Sequence, residues 1–488
     1  MHYLSKMHFS IPDTEEFIDT AGNTYVGYNI HINGLFHCTV RYKQLHNFHE
    51  QLTKDLDISL PSFPPKKFFP LTANQQEERR LSLEKYIQSI GQNEIINNSG
   101  MLNAFLLNAQ QETIGALVND ESMDIFLMNG CKIIINVSAG DHSGIVLKKV
   151  YEHLKLPEQY YFYFALFIVA QDENNIVYLL RKLQNFESPF ITNNHMHDID
   201  SKVVLGKNYW DLAYDLELMN NAVAMNLLYI QAVAEFQRGW IIAKDELNNH
   251  LITLQNQGKK KEYLDVVRTL KYYGYIQFAP CFCDYPKSDS KVLVAIGRNE
   301  LNLRILSDEE TYREEVFKVS KMRCWRITTV QNGFERSDDT DDFSLELSFE
   351  YLIAKNQLQW ITITSGQAIL MSVCLQAMID ELLLKHAGGS RTQEVSGKSW
   401  TYTMRDGQTI VMGSSSGEQI EENRKGQCVK LSSKSEPIMK KLADRLSAVR
   451  IKRSVDVEGN TNNKIKKKYI SECDMENNAF HMIGDDDL

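Results

Sequence analysis

The chain carries Arg41-Tyr42 and, further along, the stretch LPSFPPKKFFPL at residues 60–71. A cation beside an aromatic ring is thus followed by a loop that prolines stiffen, and this loop holds a second cation, Lys66, before an apolar tip. Proline fixes the backbone φ angle and so lowers the entropy cost of holding a loop in one shape. These parts predict a domain that binds one phosphorylated lipid headgroup and inserts its tip into a bilayer.

Length and composition narrow the class of protein. The chain has 488 residues, of which 43% are hydrophobic, so it is long enough for several globular domains. The net charge of −10 argues against a nucleic-acid-binding protein. No apolar run approaches the ~20 residues that a membrane span needs, and Met1–Lys6 lacks the apolar segment of a signal peptide. The eight cysteines are scattered, which predicts reduced thiols, no metal site and no cofactor.

Hydrophobic periodicity predicts an α+β multidomain chain, which begins with two mixed domains. Residues 7–110 combine strands that alternate around the Asn33-Gly34 turn with two later helices. Residues 120–206 give a hairpin around Asn129-Gly130, then a helix and a strand. That order is the one found in a ubiquitin-like β-grasp lobe.

The second half of the chain predicts a helical lobe, a β-rich lobe and a tail. Residues 207–274 have the periodicity of a helical bundle. Residues 275–387 give a series of strands followed by one long helix, which is the order of a PTB/PH-like sandwich. Residues 388–488 contain Gly/Ser-rich linkers and few apolar residues, so this segment is predicted to be a disordered tail.

Four side chains of the first domain suit a phosphoinositide. Arg41 is expected at the end of a strand, where its fork matches the geometry of a phosphate. The ring of Tyr42 can stack on the flat face of an inositol, and Lys66 supplies a point charge. Arg79, early in a helix, supplies donors for the ring hydroxyls.

The apolar tip of the loop consists of Phe68, Phe69 and Leu71. Burying one such side chain in the membrane interface contributes about 1.5–3 kcal/mol. We therefore expect these three residues to insert into the bilayer while the cations hold the headgroup.

The order of three motifs resembles the PX domain. These are the Arg-Tyr pair at a strand end, the Leu-Pro-x-x-Pro-x-Lys loop, and an Arg-Arg-x-x-Leu-x-x-Tyr helix at residues 79–86. The resemblance implies that Arg41 binds the 3-phosphate, Tyr42 stacks on the ring, Lys66 binds the 1-phosphate and Arg79 binds the ring hydroxyls of phosphatidylinositol 3-phosphate. It also implies a peripheral location on early endosomes. The spacing itself does not exclude a bisphosphorylated headgroup.

The rest of the chain is similar to the PX–FERM branch of the sorting nexins. Residues 263–275 resemble the junction between the middle and last lobes of a FERM module, and the segments MRCWR at 322–326, QWITITS at 359–365 and IGDDDL at 483–488 carry the likeness further. The resemblance implies a PX domain followed by a three-lobed FERM-like module. It also implies a cytosolic adaptor, expected to be a monomer, that returns receptors from endosomes to the cell surface.

The last lobe predicts a peptide-binding groove. A PTB-like sandwich leaves a cleft between an edge strand, here expected over residues 317–329, and its closing helix, where a peptide adds as an extra strand. Trp325 would offer a flat platform if its side chain points outward, and Ile379 and Leu383 are inferred to face the groove. The resemblance assigns these three residues to docking the Asn-Pro-x-Tyr or Asn-x-x-Tyr motif of receptor tails.

The end of the tail has two candidate motifs. The terminal six residues pair apolar and acidic groups, and the resemblance implies that they recruit the Retriever–Commander recycling complex; they are Ile483, Gly484, Asp485, Asp486, Asp487 and Leu488. Just upstream, residues 477–480 form an Asn-x-x-Phe element that resembles the cargo motif. We hypothesise that this element occupies the chain's own groove until a receptor tail displaces it.

The motifs favour an adaptor over other classes of protein. Residues 397–399, Gly-Lys-Ser, lack the upstream glycine of a phosphate-binding loop, and the histidines lack metal-site spacing, so we predict no enzyme activity. The competing hypothesis is an effector of a Ras-family GTPase, because a β-grasp lobe can bind such a protein. A cytoskeletal linker would need an actin-binding tail, which the acidic end does not suit.

Overall fold

We describe the protein from a computed structural model. The structure describes residues 7–19, 21–67, 71–114, 120–171, 177–196, 200–306, 312–332, 343–355, 357–386, 400–405, 409–412, 429–430, 467–477 and 479–480. In these ranges, every helix is too short or too polar to cross a bilayer.

The N-terminal domain packs a small antiparallel sheet against helices. Its elements are β1 (Phe9–Ser10), β2 (Thr14–Ile18), β3 (Thr24–Ile32), β4 (Leu35–Arg41), α1 (Tyr42–Asp55), α2 (Ala73–Gly91), α3 (Glu94–Asn98) and α4 (Met101–Ile114). Strand β3 pairs with β1, β2 and β4. Asn33 and Gly34 both have positive φ, as the tight β3–β4 turn requires. Helix α2 begins with a capping box between Thr72 and Gln75.

Helix α1 was not expected from the sequence, which predicted that Tyr42 continues the strand. The helix begins directly at Tyr42, and the side chain of Gln44 accepts a hydrogen bond from the Arg41 main-chain N–H. Leu45, Phe48 and Leu52 recur at helical spacing and are buried. The strand therefore turns into a helix at the Arg41-Tyr42 pair, which places these two residues at a junction between elements.

The next lobe is a five-stranded sheet with one main helix. Its elements are β5 (Asp120–Leu127), β6 (Lys132–Ser138), α5 (Ser143–Leu154), a 3₁₀ turn (Glu158–Tyr163), β7 (Phe164–Gln171), β8 (Val177–Lys182), α6 (Pro189–Asn194) and β9 (Ser201–Lys207). The strand order is β6-β5-β9-β7-β8, in which β5 and β9 are parallel and the other pairs are antiparallel. This mixed sheet under a helix is the predicted β-grasp arrangement.

The helical lobe contains α7 (Ala213–Leu218), α8 (Ala222–Gln237), α9 (Asp245–Asn256) and α10 (Lys260–Val267). Its apolar side chains share one buried cluster with the preceding lobe. A buried carboxylate, Asp215, accepts hydrogen bonds from Tyr209, Tyr273 and Arg268 and so joins the helices to the flanking segments. The two lobes therefore form one continuous core.

The last lobe is a β-sandwich closed by a long helix. Its elements are β10 (Ile276–Gln277), β11 (Cys281–Cys283), β12 (Ser290–Gly297), β13 (Glu300–Leu306), β14 (Tyr312–Lys318), a 3₁₀ turn (Val319–Lys321), β15 (Met322–Asn332), β16 (Phe343–Ala354), β17 (Gln357–Thr364) and α11 (Ala368–His386). The predicted strand over 317–329 is wrong at its start, because the 3₁₀ turn separates β14 from β15. Helix α11 packs its apolar face into the core of the sandwich.

The described part of the tail contains four strands: β18 (Trp400–Thr403), β19 (Thr409–Met412), β20 (Val429–Lys430) and β21 (Lys467–Glu476). Strands β18 and β19 form a hairpin, β20 pairs with β2, and β21 pairs with β15. In these described segments the structure differs from the predicted disordered tail. The tail has too few apolar residues for a core of its own, but β20 and β21 pair with sheets that other domains supply.

Candidate functional site

Arg41 lies where β4 ends and α1 begins, as the sequence predicted for a strand-end cation. Its side chain is half-buried, and its guanidinium carbon lies 3.8 Å from the centroid of the Tyr25 ring. Its Nη1 atom donates a hydrogen bond of 2.7 Å to the main-chain carbonyl of Arg405 in the tail. The guanidinium is therefore held on two sides at the edge of the domain.

Tyr42 and Arg79 come together at the same junction. The guanidinium carbon of Arg79 lies 4.4 Å from the centroid of the Tyr42 ring, which is cation–π distance. The Nη2 atom of Arg79 is buried and has no hydrogen-bond partner in the described part of the chain. A buried donor that lacks a partner is costly, and an anionic or hydroxyl-bearing ligand would satisfy it.

The proline loop is anchored against α1 and α2. The hydroxyl of Tyr42 donates a hydrogen bond of 2.7 Å to the carbonyl of Pro64. The ring of Phe63 stacks on His49 at a centroid distance of 5.0 Å and meets Tyr86 edge-on at 4.9 Å. Lys66 follows these anchors and is exposed. The loop is thus fixed at its base and presents its cation to solvent.

The structure describes one of the three residues of the predicted membrane tip. Leu71 is half-buried, whereas Phe68 and Phe69 lie outside the described residues. The prediction of an exposed apolar tip therefore stays a prediction for the two phenylalanines. The cations and the stacking ring of the predicted headgroup site lie on elements of one domain.

Trp325 does not form an outward platform. It is 0% exposed, and its Nε1–H donates a hydrogen bond of 2.8 Å to the Ser372 hydroxyl on α11. A side chain in the middle of a strand points to one of the two faces of the sheet. The indole of Trp325 points to the face that the closing helix covers. Trp325 therefore lines the buried side of the cleft between β15 and α11, and no sequence pattern pointed to Ser372 as its partner.

Ile379 and Leu383 both lie on α11, on the apolar cluster that contains Trp325. Ile379 is fully buried and Leu383 is half-buried. The same cluster includes Met475 and Ala479 of the tail. The three predicted peptide-binding residues are thus brought together, in a cleft that the chain's own tail fills.

Strand β21 occupies the edge of β15 that was expected to be open. The two strands are antiparallel, and Trp325 and Met475 are register partners. A segment added to a sheet edge in this way uses main-chain hydrogen bonds for affinity and alternate side chains for specificity. This strand was not predicted from the sequence. The pattern that could have indicated it is the alternation of Cys473 and Met475, which point inward, with the acidic Asp474 and Glu476, which are exposed.

The Asn-x-x-Phe element continues from β21 and turns at the end of the cleft. The Nδ2 atom of Asn477 donates hydrogen bonds to the carbonyls of Val319 (2.8 Å) and Met322 (2.6 Å). Its Oδ1 atom accepts a bond of 2.9 Å from the Ala479 N–H, and its carbonyl accepts one of 3.1 Å from the Phe480 N–H. The buried Asn477 side chain therefore binds main-chain carbonyls at and just before the start of β15, and it stabilises a turn at the end of β21.

Strand β21 also contacts the N-terminal domain. The side-chain amides of Gln88 on α2 and of Gln92, just after that helix, donate hydrogen bonds to Cys473 Sγ at 3.0 Å and to Met475 Sδ at 3.2 Å. Burial raises the pKa of the Cys473 thiol to about 12. The strand therefore lies between the N-terminal domain and the last lobe.

The terminal motif, residues 483–488, lies outside the described residues.

Comparison with known families divides the chain in the same order. The PX domain model matches residues 28–109. The sorting nexin 17/27/31 FERM F1 lobe matches residues 121–210, and the sorting nexin 17/31 FERM F2 lobe matches residues 211–271. The Sorting Nexin 17 FERM C-terminal domain matches residues 274–383. These matches confirm the predicted fold class of a PX domain followed by three FERM lobes.

Relatives extend over almost the whole chain. Sorting nexin-17 of Danio rerio is 42% identical over 493 residues, which cover 99% of this chain and 100% of the relative. Sorting nexin-17 of Homo sapiens is 41% identical, with the same coverage. Sorting nexin-31 of Homo sapiens is 32% identical over 80% of this chain and 89% of its own length. The chain therefore belongs to the PX–FERM sorting nexins, and within them to the sorting nexin-17 family.

Proposed function

We propose that the chain is a non-enzymatic endosomal sorting adaptor. It binds membranes that contain phosphatidylinositol 3-phosphate and the Asn-Pro-x-Tyr or Asn-x-x-Tyr motifs of receptor tails, and it directs these receptors to recycling rather than to lysosomal degradation. Two weak contacts made at once give an avidity that neither gives alone. The protein would accordingly be found in the cytoplasm and on early and recycling endosomes as a peripheral monomer.

The cargo function rests on one observation, the strand addition of β21 to β15. The cleft accepts an extended segment, buries a side chain opposite Trp325 and holds a buried asparagine, Asn477, with two hydrogen bonds to main-chain carbonyls. A receptor tail with an asparagine followed three residues later by an aromatic ring offers the same groups. We therefore infer that such a tail displaces residues 467–480 and docks against Trp325, Ile379 and Leu383.

The lipid function rests on the cation–π pair of Tyr42 and Arg79, with Arg41 directly before Tyr42 at the same strand end. We assign Arg41 to the 3-phosphate, Tyr42 to the inositol face and Arg79, with its buried unpartnered donor, to the ring hydroxyls. Lys66, on the exposed loop, is assigned to the 1-phosphate. Phe68, Phe69 and Leu71 are proposed to insert into the bilayer beside the headgroup.

The terminal motif completes the adaptor. We propose that Ile483, Gly484, Asp485, Asp486, Asp487 and Leu488 recruit the Retriever–Commander complex. The motif follows strand β21 in the sequence, and under the cargo proposal this strand leaves the last lobe when a receptor tail binds. Cargo occupancy and access to the terminal motif would then be coupled.

A titration of the full chain tests the cargo assignment. Calorimetry with an Asn-Pro-x-Tyr peptide and with its Asn→Ala analogue should give heat for the first peptide only. Flotation with phosphatidylcholine vesicles, with and without phosphatidylinositol 3-phosphate, tests the lipid assignment separately. A lack of binding in both assays, with binding to a GTP-loaded Ras-family protein instead, would favour the effector hypothesis.

A further inference from the structure

A second tail segment is built into the N-terminal domain. Strand β18 and the two residues after it, 400–405, lie against α1, α4 and β4. Tyr402 is 3% exposed and belongs to the core cluster of that domain, where its ring lies 5.8 Å from that of Phe105. Arg405 is 7% exposed. A tail segment that rested loosely on the surface would not bury these two large side chains.

The carboxylate of Glu112 at the end of α4 fixes the segment. It accepts hydrogen bonds from the Tyr402 hydroxyl at 2.8 Å, from the Gln44 amide at 2.9 Å and from the Arg405 main-chain N–H. Burial raises the pKa of Glu112, and these donors oppose that rise by stabilising the charged form. The position of the Arg405 main chain is thereby set by a buried acceptor of the N-terminal domain.

The side chain of Arg405 provides a second anchor. Its Nε atom donates to the Thr39 carbonyl on β4 at 3.1 Å, and its Nη2 atom donates to the Thr113 hydroxyl at 2.7 Å. Its guanidinium carbon lies 5.5 Å from the ring centroid of Phe17 on β2. Arg405 is therefore held at its N–H and at its guanidinium, and its carbonyl contacts a third group.

That carbonyl accepts the 2.7 Å hydrogen bond from Nη1 of Arg41. Thr39 and Arg41 are two residues apart on β4, so Arg405 is anchored on the same strand whose last residue it orients. In the part of the chain that the structure describes, the Nε and Nη2 donors of Arg41 have no hydrogen-bond partner, so a bidentate contact with a phosphate can use them.

We propose that residues 400–405 complete the headgroup site by holding the guanidinium of Arg41 in place, with Arg405 as a positioning residue. The inference rests on the proposed function, in which Arg41 binds the 3-phosphate. A long side chain that is held before the ligand arrives loses less entropy on binding, so affinity rises without any new ligand contact. Lipid binding would then depend on a segment that lies beyond the three FERM lobes in the sequence.

The test measures binding of the full chain to phosphatidylcholine vesicles that contain phosphatidylinositol 3-phosphate. Arg405→Ala is expected to raise the apparent Kd roughly three- to tenfold, because one hydrogen bond to a charged group is no longer fixed. Arg313→Ala, which removes an exposed arginine on β14, is the matched control and should leave the Kd unchanged. Arg405→Lys keeps a donor for the Thr39 carbonyl and should recover most of the affinity.

A double-mutant cycle separates positioning from a general structural role. If Arg405 acts through Arg41, Arg405→Ala should add little to the loss that Arg41→Ala causes, and binding of a cargo peptide should be unchanged. If Arg405→Ala prevents folding, Tyr402→Phe, which keeps the buried ring and removes only the hydroxyl, should still weaken binding about twofold.

The outcomes are distinct. Wild-type or tighter lipid binding by Arg405→Ala, with binding lost in Arg41→Ala, would overturn the positioning role and leave the proposed lipid function intact. Unchanged binding by Arg41→Ala would overturn both. Equal, additive losses in the two variants would mean that Arg405 acts on stability alone, which also overturns the inference.

Discussion

Met475 on β21 and Trp325 on β15 are register partners, and both side chains are buried in the core of the last lobe. The cleft that the adaptor hypothesis assigns to receptor tails is thus closed by the chain itself. Because the closing segment is tethered to the same molecule, its effective concentration is on the order of millimolar. A receptor tail must therefore compete with this segment. Weakening the contacts that hold residues 467–480 in the cleft should raise the affinity for a receptor tail.

Asn477→Ala should raise the affinity of the full chain for an Asn-Pro-x-Tyr peptide, by about three- to tenfold. The change removes the two hydrogen bonds to the Val319 and Met322 carbonyls, which favour the closed cleft and not the peptide complex. Calorimetry measures the effect. Glu476→Gln, at an exposed position of β21, is the control, and equal affinities for Asn477→Ala and the unaltered chain would argue against competition.

Phe480→Ala tests the same competition from the other end of the element. The Phe480 N–H closes the turn on the Asn477 carbonyl, and its half-buried ring occupies the place that the tyrosine of a cargo motif would take under our hypothesis. We expect a smaller rise in peptide affinity than for Asn477→Ala, since the main-chain bond survives the substitution. A peptide affinity that stayed at the level of the unaltered chain would refute the role of residues 477–480 in closing the cleft.

Because Trp325 is buried, we expect its substitution to lower the stability of the last lobe. Trp325→Ala should lower the free energy of unfolding of the last lobe by about 3–5 kcal/mol, because it leaves a cavity under α11. Ser372→Ala, which removes only the acceptor of the indole N–H, should cost about 1–2 kcal/mol. Denaturant unfolding measures both changes, with Trp325→Phe as the conservative control. A free energy of unfolding of Trp325→Ala equal to that of the unaltered chain would contradict the structural role of the buried indole.

Local motifs could be interpreted from the sequence, and distant pairings could not. The grouping of Tyr42 with Arg79 follows from a strand end, a loop and a helix that are close in the chain. The pairing of β15 with β21 joins segments far apart in the chain. The likeness of residues 477–480 to a cargo motif led to the hypothesis that they enter the groove, but no pattern predicted the strand before them or its register. The orientation of Trp325 was also undetermined, because a shift of one residue moves a strand side chain to the opposite face.

Arg41→Ala should abolish measurable selectivity for vesicles with phosphatidylinositol 3-phosphate over vesicles of phosphatidylcholine alone. Losing a bidentate contact with a phosphate corresponds to roughly a tenfold to hundredfold loss of affinity. Flotation measures the effect, and a reporter of location should change from punctate to diffuse in cells. Arg313→Ala retains the selectivity under our hypothesis, since that arginine lies on the last lobe. Selective flotation of Arg41→Ala would remove Arg41 from the headgroup site.

Removal of Leu488 should reduce recruitment of the recycling complex and send cargo receptors to degradation, while lipid and cargo binding persist. A terminal leucine fills a small pocket in the partner, and the neighbouring aspartates meet a basic rim under this hypothesis. Pulldown of the complex and the half-life of a receptor measure the two effects. A receptor half-life equal to that in cells with the unaltered chain would count against the motif.

We expect His37 to make the stability of the contact between the first two domains depend on pH. It lies on β4, its Nε2 atom is 3.1 Å from the Leu106 carbonyl, and its Nδ1 atom is 3.9 Å from Glu187 of the β-grasp lobe. The charged groups that face it also include Arg181, which pairs with Glu187, and His195. Burial lowers the pKa of His37 to about 4, although Glu187 acts in the opposite direction.

Because the folded pKa of His37 lies below the ordinary value of 6.5, the unfolded chain binds the proton more readily between pH 6.5 and about 4. Stability must therefore fall as the pH decreases through this range. His37→Gln, which cannot take up the proton, should show a shallower fall of Tm with decreasing pH. The half-buried His8 and the buried His31, whose pKa values desolvation also lowers, to about 4 and about 3, would keep part of the slope. His250→Gln, at an exposed position of α9, is the matched control, and identical Tm profiles for His37→Gln and the unaltered chain would exclude His37 as a source of the acid sensitivity.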